Sequence, residues 1–213
     1  MRVLAVDTAL GACSCAVLDD ARVLSHRFIV MDRGHAEALA PMVEEAVRES
    51  GVAFSEFDRL AATIGPGTFT GQRVGLAFMR GMRIALKRPL IGITTLEAMA
   101  HQAMAETGLA HAASLHDAKR DEVYLELVPG DGARILSFDD AIALLAKEGK
   151  FALAGTAAPR AAEMLKHTTL STVRQPDALW VARLASAKEP RAEAPKPLYL
   201  RPPDAKLPAQ RLA

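Results

Sequence analysis

Asp7 and Thr8 close the apolar run "RVLAVD" and are followed by Ala-Leu-Gly. A carboxylate at a strand end, before a small-residue hairpin, can hold a magnesium ion through water, with a neighbouring hydroxyl on phosphate. The same Asp can equally cap the hairpin turn with its own side chain. A second stretch of this kind is "TIGPGTFTG". Gly65, Gly67 and Gly71 open backbone angles closed to other residues. Thr68 or Thr70 can cap the helix that follows, and successive N–H groups at a helix start can take an anion. The Walker pattern requires Lys and then Ser or Thr after the last glycine, but Gln72 and Arg73 stand there, and the spacing is not the dinucleotide GxGxxG either. Spacing alone leaves two readings, anion binding and a tight strand-to-helix turn. Asp117 occupies the place of Asp7 in the second half, where "DAKRDE" puts Lys119 and Arg120 in the way of close approach to phosphate.

Other chemistries lack their residues. His26, His35, His101, His111, His116 and His167 are scattered without an HxxxH or HExxH pair, so no metal site is expected, and no GxSxG elbow supports a hydrolase. Cys13 and Cys15, two apart on one strand, read as buried structural thiols. No catalytic residue is assigned. Net charge is +1 and aromatics are 5% of the chain, so no global field argues for nucleic acid or membrane. One local row stands out. Arg73, Arg80, Arg83 and Lys87 fall on one stripe of a helix over 70–87. Such a row serves as a solvated face, or meets an acidic partner or an RNA backbone. Val74, Ala77, Phe78, Gly81 and Ala85 are read as that helix's buried side, with Gly71, Gly75 and Gly81 admitting a close neighbour.

The elements that position these residues follow from periodicity. "RVLAVDT", "ACSCAVLD" and "RVLSHRFIV", joined by short connectors, predict an antiparallel meander. "HAEALAPMVEEAVRESG" predicts a helix ended by Gly51, with Pro41 inside it. Then come strand "RLAATI", the glycine turn, the helix to about Leu86, strand "RPLIGIT" and helix "TLEAMAHQAMAE". The second half repeats this order, and "ARVLS" returns as "ARILS". The pattern predicts an internal duplication with the second copy trimmed, divided into residues 1–106 and 107–213, the latter ending in a Pro-rich tail. Helix "PDALWVARLASAK" precedes that tail, which Tyr199 and Leu200 are expected to pin. No apolar run approaches the ~20 residues of a membrane helix, and the N-terminus lacks a signal-peptide core. A soluble, cytoplasmic chain is expected.

"MRVLAVDTALGACSCAVL", "GPGTFTGQRVGL", "PLIGITTLEAMAHQA", "DAKRDEVYLE" and "PLYLRP", in this order, resemble the TsaB (YeaZ) family over nearly the whole chain. The resemblance implies an α/β, duplicated actin/sugar-kinase/Hsp70-like (RNase H-like) fold with two mixed-sheet subdomains, agreeing with the repeat. It also implies work in tRNA modification: installing threonylcarbamoyladenosine next to the anticodon of tRNAs reading codons that start with A. Such a protein looks like a degenerate paralogue of the TsaD transferase. It is a scaffold that pairs with TsaD, recruits the TsaE ATPase, forms a homodimer when alone and meets tRNA through the complex. No cofactor is expected to bind tightly, with ATP or ADP confined to the complex. The alternatives are a stand-alone ATP-dependent phosphotransferase or ATPase, and a glycoprotease-like peptidase.

A scaffold acts through its surface, and the helices at 35–50 and 70–87, rich in Ala and Gly, are the expected partner face. His35, Leu39, Met42, Glu45, Arg73, Val74, Gly75 and Phe78 are its expected residues, with Leu39, Met42, Val74 and Phe78 supplying apolar area. A charge at Gly75 is expected to give a folded chain that no longer binds its partner. Asp7, Thr8, Gly65, Gly67, Thr68, Thr70 and Gly71 are expected as a vestigial phosphate site.

Overall fold

Alternation within the first strand sorts its residues between two cores. In a computed structural model that describes residues 1–201, β1 (Arg2–Asp7) sends Leu4 and Val6 to one side of a sheet and Val3 and Ala5 to the other. β2 (Ala12–Asp19) and β3 (Arg22–Val30) pair antiparallel with it in series, as the short connectors predict. Helix α1 (His35–Ser50) then returns over the sheet, and Gly51 ends it at φ +68°. β4 (Arg59–Thr63) and β5 (Leu90–Ile93) join in parallel through α2 (Gly71–Leu86), giving the order β3-β2-β1-β4-β5.

The second half repeats the first. β6 (Ala112–Asp117), β7 (Glu122–Val128) and β8 (Arg134–Ser137) form a meander, α4 (Phe138–Leu145) crosses over, and β9 (Phe151–Ala154) adds in parallel to β6. Trimming falls on α5 (Ala158–Ala162), five residues where α2 has sixteen. β10 (Thr168–Leu170), which periodicity did not predict, completes the order β10-β9-β6-β7-β8. Asp7 and Asp117 end equivalent strands, β1 and β6. Gly65 and Gly155, just beyond β4 and β9, both take positive φ, +104° and +102°. The two halves are therefore copies of one plan, as the repeat predicts.

Two helices are exchanged between the copies. α3 (Thr95–Thr107) lays Met99, Ala100 and Ala103 against Ala112, Ala152 and Ala154 of the second sheet. α6 (Ala178–Ala187) returns to the first sheet, where Ala178, Val181, Ala182 and Ala185 cover Val3, Ala5, Ala16 and Ala61. α1 and α2 fill the opposite face with Leu39, Val43, Leu76 and Met79, over Cys13 and Cys15. The two thiols share one face, as their spacing requires, and burial pushes them up to about 11 and 12. The Pro-rich end beyond residue 201 lies outside the described residues. Among the described residues no helix is long and apolar enough to cross a membrane.

Candidate functional site

The glycine-rich turn and the first hairpin turn interlock. Gly67 carries no Cβ because one would lie 2.4 Å from the Ala9 carbonyl oxygen, and a Cβ on Gly71 would lie 2.3 Å from that of Thr8. Into this approach Thr8, almost fully buried, inserts its hydroxyl. Oγ1 donates to the Gly71 carbonyl at 2.7 Å and accepts from the Gly75 amide at 2.9 Å. The Thr68 amide is bonded to the Ala9 carbonyl at 2.9 Å, and the Thr68 hydroxyl accepts from the Gly71 amide at 3.1 Å. Thr68 is thus a cap of α2, while the Thr70 side chain makes no cap bond. The Thr68, Gly71, Gln72, Arg73 and Val74 amides at this helix start are engaged by the chain itself. Ala9 and Leu10 are in turn buried against Met99, Ala100 and Val173 between the two sheets.

Asp7 is equally enclosed. Its Oδ1 accepts from the Thr63 hydroxyl at 2.6 Å and from the Ala9 amide at 3.2 Å, while Oδ2 is buried with no hydrogen-bond partner. Burial pushes its pKa up to about 7. A carboxylate holding magnesium through water needs open oxygens facing solvent, and Asp7 has none. In the second copy Asp117 keeps the same turn bond, Oδ1 accepting from the Lys119 amide at 2.8 Å, but is half-exposed. That bond, with the Lys119 ammonium 3.3 Å from Oδ2, holds its carboxyl below the usual range. Lys119, Arg120 and Asp121 all take left-handed φ, +65°, +57° and +57°. Between the sheets lies a cavity of about 420 Å³, lined by Leu10, Thr68, His116, Asp117, Lys119 and Gln175 among others. Burial lowers the His116 pKa to about 4, so the imidazole on this wall is neutral.

The helical residues expected at a partner face separate into two sets. Glu45 and Arg73 are exposed; Val74 and Phe78 are half-buried, as is His35, whose Nε2 lies 3.0 Å from the Leu10 carbonyl oxygen. Leu39 and Met42 are 1% and 5% exposed, so their apolar area is already committed to the chain's own core. Gly75 is buried beneath Thr8. The expected buried side of α2 is corrected: Ala77, Gly81 and Ala85 are exposed, and Gly71, Gln72, Gly75, Leu76 and Met79 face inward. Gly71 and Gly75 must face Thr8, and that contact fixes the rotation of the helix. The outward stripe is therefore Ala77, Gly81, Ala85 and Ile84, the last 74% exposed.

The arginine row, expected to be solvated or to meet a partner, holds the chain's own irregular segment of residues 191–199. Arg73 donates to the Tyr199 hydroxyl at 2.6 Å, Arg83 to the Ala192 carbonyl at 3.0 Å, and Arg80 to the Pro195 carbonyl. The Leu198 amide bonds the Ile64 carbonyl at 2.7 Å. Tyr199 does pin the segment. The Arg73 guanidinium also covers the Phe69 ring at 3.5 Å from its centroid, and Phe69 stacks beside Tyr199. Missed in the sequence were Leu198 and Gln175, whose Oε1 accepts from the Gly11 amide at 2.9 Å. A proline-rich run offers carbonyls without internal bonds, which was the available signal for an arginine row nearby.

The family model described as TsaD, tRNA N6-adenosine threonylcarbamoyltransferase, matches residues 22–143, more than half of the chain. A crystallised Pseudomonas aeruginosa protein described as similar to the peptidase YeaZ has a TM-score of 0.79 at 30% identity, over 94% of this chain and 99% of that one. The chain belongs to the TsaB (YeaZ) family. The tRNA threonylcarbamoyladenosine biosynthesis protein TsaB of Escherichia coli is 38% identical over 124 residues, 58% of this chain and 53% of that protein. TsaB of Haemophilus influenzae is 29% identical over 204 residues, 88% and 86% of the two chains. The fold is accordingly the duplicated actin-like one, and in this TsaB-family chain the turn "GPGTFTG" serves as the socket for Thr8 and Ala9.

Proposed function

We propose that this chain is a non-catalytic scaffold subunit in the synthesis of threonylcarbamoyladenosine in tRNA, pairing with a TsaD-type transferase and helping to recruit a TsaE-type ATPase. The observation that carries the reading is the self-filled turn. The Thr68, Gly71 and Gly75 amides are taken by the Ala9 carbonyl and by the Thr68 and Thr8 hydroxyls respectively, and Asp7 lies fully buried beneath them. A phosphotransferase needs those groups free; a scaffold needs only the shape. No nucleotide then binds tightly to the chain by itself, and ATP or ADP belongs to the assembled complex. The chain works in the cytoplasm, where tRNA is modified.

The partner face lies on α1 and α2, as the outward stripe of Ala77, Gly81, Ile84 and Ala85 supports, with Glu45 and Arg73 at its rim. Small residues there let a partner helix approach closely. An isologous patch of this kind serves a second copy or a paralogue, so homodimer and heteromer compete for it. The test removes the gene and measures threonylcarbamoyladenosine in total tRNA by mass spectrometry, together with co-purification of a TsaD-type subunit. The expected result is loss of the nucleoside, restored by the wild-type chain, and stoichiometric capture of that subunit. Unchanged nucleoside levels in the deletion strain would overturn the reading.

A further inference from the structure

The guanidinium groups along α2 meet no carboxylate in the bonds they make. Arg73 bonds a phenol, and Arg80 and Arg83 bond backbone carbonyls; all are neutral oxygens. The row continues in Lys87 at the end of the helix, and Arg191 and Lys196 stand exposed on the segment it holds. Glu193 offsets part of this, through an exposed contact with Lys196 at 3.5 Å. At 1.5 Å per residue, Arg73 to Lys87 spans about 21 Å. One end of the row carries exposed aromatic rings, Phe69 at 55% and Tyr199 at 44%, stacked on each other at 5.9 Å beside Arg73. Such concentration of cations is unexpected in a chain of net charge +1.

We propose that this edge, from the Phe69–Tyr199 rings along Arg73, Arg80, Arg83 and Lys87, binds the backbone of a single-stranded stretch of RNA, with an unpaired base stacked at the aromatic end. An acidic peptide would satisfy the cations but need offer nothing flat to the exposed rings, whereas a nucleic-acid strand offers phosphates and flat bases together. The guanidiniums hold carbonyls only as neutral partners, so a phosphate can share their remaining N–H groups without breaking an ion pair. The proposal rests on the tRNA-modifying role for its choice of RNA, and it places a direct RNA contact on this subunit.

The test titrates a fluorescent oligouridine with the full chain at several salt concentrations, and measures partner capture and nucleoside restoration separately. Three or four phosphate contacts give a slope of log affinity against log salt of roughly −2 to −3, at about 0.7 per phosphate. Arg83→Gln, Lys87→Gln and Arg191→Gln should each make it shallower by up to about 0.7. Phe69→Ala should weaken binding roughly tenfold with the slope unchanged. Circular dichroism identifies any variant that loses its fold, and Lys87→Gln and Arg191→Gln alter exposed side chains, so they still decide the matter. No salt-dependent binding by the wild type, or an unchanged slope in those two variants, overturns the proposal. So does a polyglutamate competitor that displaces the RNA as well as unlabelled RNA does, which would assign the edge to an acidic protein. In each of these cases an intact partner capture leaves the scaffold reading standing; that reading fails instead if deletion of the gene spares the nucleoside.

Discussion

The Cβ that Gly75 lacks would fall 2.7 Å from the hydroxyl oxygen of Thr8. This pair joins the end of β1 to the second turn of α2. Gly75→Glu therefore attacks the fold before it reaches any partner. It should lower stability by about 1–3 kcal/mol or more through overpacking, with partner capture lost as a consequence. Gly81, on the outward stripe with no atom within 4 Å of its missing Cβ, is the position that separates the two effects. Gly81→Glu should melt near the wild-type temperature and lose partner capture. Thermal unfolding read beside a pull-down decides this, and a Gly81→Glu chain that still captures its partner places the interface elsewhere.

Thr8 tests the same joint from its other side. Thr8→Val keeps the volume but leaves the Gly71 carbonyl and the Gly75 amide without the hydroxyl between them. Two buried backbone groups would lose a partner, at a cost of about 1–3 kcal/mol each where nothing replaces it. Thr8→Ser retains the hydroxyl and should recover most of the loss. Urea unfolding of the three proteins gives the comparison.

Asp7 makes stability depend on pH. Its carboxyl ordinarily titrates at 3.8 and is pushed up to about 7 by burial. In that window the unfolded chain has released the proton and the native chain still holds it. The contribution is thus fully present below about pH 4 and is lost as pH rises towards 7, a change of up to roughly 4 kcal/mol at 1.36 kcal/mol per pH unit. His116 works in the opposite direction, since its depressed value near 4 removes stability as pH falls from 6.5. Subtracting the Asp7→Asn unfolding curve from the wild-type curve isolates the carboxyl. The wild type should lose ground against Asp7→Asn between pH 4 and pH 7, and the difference should flatten above that. A flat difference throughout would show that Asp7 is ionised in the native chain.

The segment of residues 191–199 should be separable from the rest. Leu198→Pro removes the amide that bonds Ile64, and Tyr199→Phe removes the hydroxyl that accepts from Arg73. Each hydrogen bond contributes about 0.5–1.5 kcal/mol, enough to raise the open population roughly two- to tenfold. Trypsin should then cut after Arg191 faster by that factor, while the global unfolding midpoint moves little. Equal cutting rates in wild type and both variants would mean that the segment is held by other contacts.

Much of this architecture was legible because it is local. Short connectors between alternating strands force β1 to β3 into a meander, and the echo of "ARVLS" in "ARILS" marked the duplication. The orientation of α2 was not legible, because small and apolar residues fill the faces on both sides of its arginine row and a contact with Thr8, sixty-seven residues from Gly75, fixes the rotation. β10 escaped because three residues, "TTL", carry no period. The candidate turn was visible, and its filling was not. Spacing identifies backbone able to hold an anion, but whether an anion or the chain's own Thr8 and Ala9 occupies it is decided by distant packing. The arginine row was legible as a row, though its partners lie more than a hundred residues away.

The exchange of α3 and α6 bears on how the chain matures as it leaves the ribosome. Residues 1–93 supply every strand of the first sheet, yet Val3, Ala5, Ala16 and Ala61 receive their cover from Ala178 onwards. Until α6 has emerged, the nascent first half presents a bare apolar plane, and α3 lacks the second sheet against which it rests. Neither sheet is covered on both faces by its own copy alone, so each depends on a helix exchanged from the other. A premature stop anywhere before Ala178 would release a chain with that plane exposed, a substrate for chaperones and proteases rather than a shortened working subunit.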